Sequence, residues 1–206
     1  VKDANEILPE SEIYTNKFVT KKLSYCGFSD YFRIKLIYDK GGYWVDSDYI
    51  CLKYFDFKDD YVFASGHESI VNSIIKCPKG DLFLKEIYDA LSSDPKKLTI
   101  LDHGSRAFVR YVKKYNFEKY VKKHDVFCLI HHSCINRMLL ENYVDSSYFD
   151  QCYAMHMANQ WAVLSKEQLE EQRGLKKKIM SKTLFDKDKI YSENTAYGSW
   201  QKRYLL

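Results

Sequence analysis

Residues 29–52 read SDYFRIKLIYDKGGYWVDSDYICL, and the fold is decided by how this stretch is read. Between Tyr25 and Tyr38 the apolar residues Phe28, Tyr31, Phe32, Ile34, Leu36 and Ile37 recur at mixed three- and four-residue intervals, a spacing that predicts a largely buried helix. Asp30 and Arg33 sit three apart, so both project on one side of it. Gly41 supplies the left-handed turn that stops the helix, and Gly42 lets a strand begin close to its backbone. Tyr43-Trp44-Val45 is a good strand former. Two carboxylates follow, Asp46 and Asp48, with only Ser47 between them.

Two acids around a serine make an ordinary turn. Here, however, the pair is wedged between the apolar runs Tyr43–Val45 and Tyr49–Leu52, where uncompensated carboxylates are costly. Hard divalent cations such as magnesium and manganese take oxygen ligands and keep positions open for phosphate oxygens. A carboxylate pair at a strand end therefore suits a metal that grips a diphosphate.

The pattern S-D-Y-F-R-x-K-L-I-Y-x-x-G-G-Y-W-V-D-S-D resembles the signature of glycosyltransferases with a DXD-containing sugar-binding region. That group includes yeast-type α-1,6-mannosyltransferases, bacterial capsular polysaccharide sugar transferases and, more remotely, the catalytic domains of large clostridial toxins. The resemblance implies an α/β fold of the GT-A type, with a Rossmann-like mixed central sheet flanked by helices, a nucleotide-sugar donor, and Mn2+ or Mg2+ as the cofactor. It also implies that Asp48 binds the metal directly, that Asp46 contacts the ribose and the metal shell, and that Asp30 and Arg33 hold the donor sugar and its phosphates. Read without the resemblance, Asp30 and Arg33 make a structural ion pair.

The chain of 206 residues, 46% hydrophobic, fits one domain with an adequate core. The segment 165–206 is read as a helical and tail portion of that domain. Relatives begin with a strand bearing an Ile-Trp type motif that forms part of the nucleotide pocket, and residues 1–22 match no such strand; they read as a short helix and loop. Lys and Arg number 32 against 28 Asp and Glu, a net charge of +4, with no concentrated stripe for nucleic acid. Lys176-Lys177-Lys178 reads as a solvated helix face. None of the six cysteines forms CxxC or a zinc-type set, which points to reduced thiols and a cytoplasmic setting. No apolar run approaches a membrane span, so membrane contact is expected to be peripheral at most.

Downstream, Tyr61–Ser65 is a predicted strand, and Asp81–Ser92 an amphipathic helix capped by Asp81. Ser69–Lys76 resembles a family segment whose asparagine, here Asn72, faces the acceptor or donor sugar; a satisfied structural asparagine is the other reading. His103 falls in a loop that lies near the acceptor in relatives, although His-Gly-Ser stands here where they carry Thr-Gly-Pro. A helix is expected over Arg106–Tyr115 and a strand over Val126–Ile130. In a strand, neighbouring His131 and His132 point to opposite faces, one toward solvent.

The late segment Tyr153–Trp161 resembles the family's H-x-x-N-x-x-W element, with Trp161 here only two residues after Asn159. The resemblance makes His156 the third metal ligand, and an imidazole nitrogen serves manganese well. It also places Asn159 and Trp161 at the donor, where Trp161 stacks on the base or sugar; a plain core role is the other reading. Ser199 and Trp200 belong to an aromatic tail expected to fold over the donor.

These residues imply a metal-dependent glycosyltransferase, with Asp30, Arg33 and Asp48 at the reaction centre. It would move a sugar, with retention, from a nucleoside-diphosphate sugar to a hydroxyl of a glycan or glycolipid acceptor. Two other classes stay open: a transferase-derived binding or scaffold protein, and a metal-dependent nucleotide-diphosphate phosphohydrolase, which usually needs more acids.

Overall fold

The computed structural model describes residues 2–15, 25–93, 104–139, 146–157 and 190–204. The chain forms two compact units, one of Val1–Asp46 and Asp56–His124, the other of Ser47–Phe55 and Asp125–Leu206. The described strands are β1 (Gly42–Val45), β2 (Tyr49–Cys51), β3 (Val62–Ser65), β4 (Ile70–Cys77) and β5 (Ala154–His156). The described α-helices are α1 (Cys26–Lys40), α2 (Leu82–Ser92), α3 (Gly104–Lys114), α4 (His124–Phe127) and α5 (Ala196–Tyr204).

In the first unit, α1 buries Tyr31, Ile34 and Ile37 and stops at Gly41, whose amide donates to the Ile37 carbonyl at 2.7 Å. Gly41 adopts φ 70°, and a Cβ there would stand 2.8 Å from the Lys79 backbone nitrogen, so both torsion and space demand glycine. Helix α2 starts where Asp81 accepts a hydrogen bond from the Phe83 amide at 2.9 Å, the cap expected from the sequence. Tyr31 of α1 stacks on Tyr88 of α2 at 5.1 Å, and their hydroxyls hydrogen-bond at 2.9 Å. Phe63, Phe83, Phe108 and Val112 complete a core with Ile75 of β4.

The sheet of this unit is antiparallel, in the order β1-β4-β3. The mixed, Rossmann-like central sheet expected from the sequence is not formed by the described residues. A tight turn closed by the Gly66 amide donating to the Ser69 carbonyl joins β3 to β4, and a connection so short allows only antiparallel pairing. Parallel pairing among the described residues is limited to one bridge, Phe63 to Val121. The β3–β4 register jumps from Phe63 opposite Ile75 to Ala64 opposite Val71, so residues 72–74 fall within the shift. Such irregularities re-aim backbone and side chains, and this one sits beside the acidic turn.

In the second unit, β2 and β5 pair antiparallel, with Tyr49 opposite His156, Ile50 opposite Met155 and Cys51 opposite Ala154. Met138, Phe149, Met155, Met157 and Trp200 form its core. The strand expected over Val126–Ile130 is instead the end of α4 followed by an irregular buried run, Phe127 to Ile130. A short apolar run carries no period that separates a strand from a buried turn of helix. His132 consequently opens a 3-10 helix, His132–Leu139, and its exposed ring packs 4.1 Å from that of His131 rather than on an opposite face. No helix among the described residues is long and apolar enough to cross a membrane. All six cysteines are free thiols.

Candidate metal centre and its supporting cluster

The acidic turn inherits its geometry from the elements on either side. On the first unit's side, the Asp46 amide donates to the Ser73 carbonyl at 2.9 Å, which extends the β1–β4 ladder by one step. Trp44, two residues earlier, lies on the same strand face, and its Nε1 donates to Asp46 Oδ1 at 2.7 Å. Arg33 reaches the same oxygen at 3.1 Å and Asp30 Oδ1 at 3.4 Å. Its Nη1 also donates to the Asn72 carbonyl at 2.8 Å, its Nε and Nη2 approach Ser29, and its guanidinium lies 5.0 Å over the Trp44 ring. Only 8% of this side chain is exposed, so Arg33 is a buried cation shared by two carboxylates and facing protein acceptors with all three nitrogens.

Asp30 is held by Asn72, Arg33 and the Gly104 backbone amide. Asn72 Nδ2 donates to its Oδ1 at 2.8 Å, Asn72 Oδ1 in turn accepts from Ser105 Oγ at 3.2 Å, and Arg33 stands opposite. Burial pushes the Asp30 carboxyl above the usual carboxylate range, against the opposing pull of Arg33 and Asn72. Gly104 beside it adopts φ 62°, a left-handed backbone that residues with a Cβ rarely take.

On the second unit's side, Asp48 closes the turn just before β2, and its carbonyl accepts from the Met157 amide at 2.8 Å. Turn geometry frees Asp48 from strand alternation, so Asp48 Oδ1 and the Tyr49 ring both meet His156, at 3.2 Å from Nε2 and at a 4.5 Å ring separation. Burial alone would lower the His156 pKa, yet its hydrogen bond to Asp48, with the Cys128 thiol also beside it, raises it from 6.5 to about 9. Sequence separation conceals this pairing, since 108 residues divide Asp48 from His156.

A carboxylate against an imidazole is a donor set that fits manganese or magnesium with oxygen-rich completion. Asp48 and His156, both in the second unit, are side chains that could hold a metal ion, and Asp46 stands two residues before Asp48 in the sequence. Of the other residues singled out in the sequence, Asp30, Arg33, Asp46 and Asn72 are brought together in one polar cluster. Ser199 and Trp200 lie on α5, where Trp200 is buried edge-on against Phe149 at 4.4 Å and Ser199 Oγ donates to the Ala196 carbonyl at 2.8 Å. Both line a cavity of about 200 Å³ with Lys53, Phe149 and Arg203. His103, Asn159 and Trp161 lie outside the described residues.

Sequence reasoning missed Trp44, Tyr49, Ser105 and Cys128. The i, i+2 spacing of Trp44 and Asp46 on a strand was a usable signal; the other three contacts depend on tertiary pairing that no local pattern carries.

No curated protein and no solved structure matches the chain at a significant level. The family model described as capsular polysaccharide synthesis protein matches residues 10–199. That span takes in the acidic turn, its Arg33 cluster and His156, and the chain belongs to the capsular polysaccharide synthesis protein family.

Proposed function

We propose that this chain is a metal-dependent glycosyltransferase of the DXD type, moving a sugar from a nucleoside-diphosphate sugar to a hydroxyl of a glycan or glycolipid acceptor in polysaccharide synthesis. The observation that carries the reading is the approach of His156 Nε2 to Asp48 Oδ1 at 3.2 Å, next to an acidic turn. Family membership supports the polysaccharide context.

Asp48 and His156 would hold the cation, joined by Asp46 as the family resemblance implies, and the bound cation would supply Lewis-acid charge to a departing diphosphate. Asp30, which Asn72 and Arg33 keep in one rotamer, would accept a hydrogen bond from a hydroxyl of the donor sugar. Arg33 works through the carboxylates it clamps, because its nitrogens already face protein acceptors. A buried, preorganised cluster of this kind costs no reorganisation during reaction. No carboxylate of the cluster stands apart as a covalent nucleophile, so retention by front-face attack guided by the leaving phosphate is the preferred course.

A screen of nucleotide sugars for Mn2+-dependent release of nucleoside diphosphate tests the reading. Release from one donor class, accelerated by a glycan acceptor, supports it; no release from any donor with Mn2+ or Mg2+ contradicts it.

A further inference from the structure

His156 is reached by two neighbours in sequence that would ordinarily point to opposite faces. Tyr49 and His156 are directly paired residues of β2 and β5, and directly opposite side chains share a face of the ladder. Their rings stack at 4.5 Å with an interplanar angle of 4°, close to parallel. At its far end the Tyr49 hydroxyl lies 3.5 Å from Cys128 Sγ, and Cys128 is itself buried. Asp48, released from alternation by the turn, meets the ring at its Nε2 edge.

An imidazole has two soft torsions, and a useful ligand needs both fixed. The Asp48 contact limits rotation within the ring plane; it does little to stop the plane from tilting. The near-parallel Tyr49 ring supplies that second restraint. We infer that Tyr49, anchored by its hydroxyl to Cys128, is a positioning residue that sets the ring plane of His156 for metal coordination. This inference rests on the proposed role of His156 as a metal ligand, and it adds to the centre two residues that donate nothing to the cation themselves. Partners that orient a ligating histidine typically change metal affinity about 10- to 100-fold when removed.

The test is a titration of the full chain with Mn2+ alone, without nucleotide, read by the loss of the free Mn2+ paramagnetic resonance signal. Tyr49→Val keeps a strand-forming residue and removes the plate; affinity is expected to fall about tenfold or more. Tyr49→Phe keeps the plate and loses only the contact to sulfur, a weak interaction, with an expected loss of about threefold or less. In a His156→Ala background, Tyr49→Val is expected to change affinity no further, because its effect passes through the imidazole. Tyr49→Leu provides a second variant should Tyr49→Val fail to fold: it keeps an apolar side chain without a ring, and a similar loss that vanishes in the His156→Ala background supports the role of the Tyr49 ring.

A folded Tyr49→Val chain that binds Mn2+ as tightly as the parent overturns the inference. So does an equal loss with and without His156, which would mark Tyr49 as a merely structural residue. A parent chain that binds no Mn2+ removes the metal reading itself and the inference with it, an outcome distinct from the other two.

Discussion

The guanidinium of Arg33 stands 3.1 Å from the carboxylate of Asp46, inside the protein rather than at its surface. The contact links α1 to the end of β1, and Asp30 joins it at 3.4 Å. Two acids thus depend on one buried cation. Arg33→Met is expected to leave both uncompensated and to lower unfolding stability by about 3 kcal/mol or more. Arg33→Lys should recover little, because an ammonium cannot serve Asn72, Ser29 and two carboxylates from fixed directions. Urea unfolding of the three chains checks this; equal stability of the methionine variant contradicts it.

Asn72 separates Asp30 from Ser105 by presenting an amide to one and a carbonyl to the other. Asn72→Asp replaces the donor with a second carboxyl beside a carboxylate whose pKa burial has already raised. At acid pH one proton can be shared between the two, whereas at neutral pH both would have to ionise in contact. The variant is therefore expected to lose more stability at neutral pH than near pH ~4 relative to the parent. Asn72→Leu, with no added charge, should show a loss that varies less with pH. Thermal melting across the range decides between them.

The His156–Asp48 pair sets two opposite pH trends. With its folded pKa raised from 6.5 to about 9, His156 stabilises the metal-free fold fully below the lower value and loses that contribution as pH rises through the upper one. Metal binding requires the neutral ring and releases a proton, so Mn2+ affinity should rise over the same interval. Melting temperature and Mn2+ affinity, measured against pH on the parent and on His156→Gln, test both signs. The glutamine variant should flatten both curves.

Gly41 and Gly42 offer a contrast in backbone demand. Both have positive φ, but a Cβ on Gly41 would meet the Lys79 backbone at 2.8 Å, whereas one on Gly42 would meet nothing within 4 Å. Gly42→Ala is expected to cost about 1 kcal/mol from torsion alone, and Gly41→Ala clearly more because backbone must also shift. Similar melting temperatures for the two variants would contradict the account of the α1–β1 junction.

Much of this architecture was legible in the sequence where a period or a cap had a single interpretation. The apolar spacing of α1, the Gly41 stop and the Asp81 cap of α2 each read directly into the structure. Sheet topology was less legible. Strands β1 and β3 are four residues each, too short to reveal their partners, and the resemblance to a GT-A family led to a mixed central sheet that the described residues do not form. The Val126–Ile130 run failed for the related reason that burial on all sides erases periodicity. At the site, the acidic turn was visible as two carboxylates between apolar runs, and His156 was reached only through the family resemblance. The Arg33–Asp30 pair was legible from its three-residue spacing, whereas the contacts of Arg33 with Asn72 and of Tyr49 with Cys128 were not, because they span 39 and 79 residues.

The most direct measurement is nucleoside-diphosphate release from nucleotide sugars by the parent chain and by Asp48→Asn, each with and without Mn2+. The substitution preserves shape and removes a charge that a divalent cation needs. The parent is expected to turn over a donor only when the metal is present, and the variant to fall by about a hundredfold or more while melting as a folded protein. Release that persists undiminished in Asp48→Asn, or that proceeds equally without metal, would contradict a metal-centred sugar transfer at this turn.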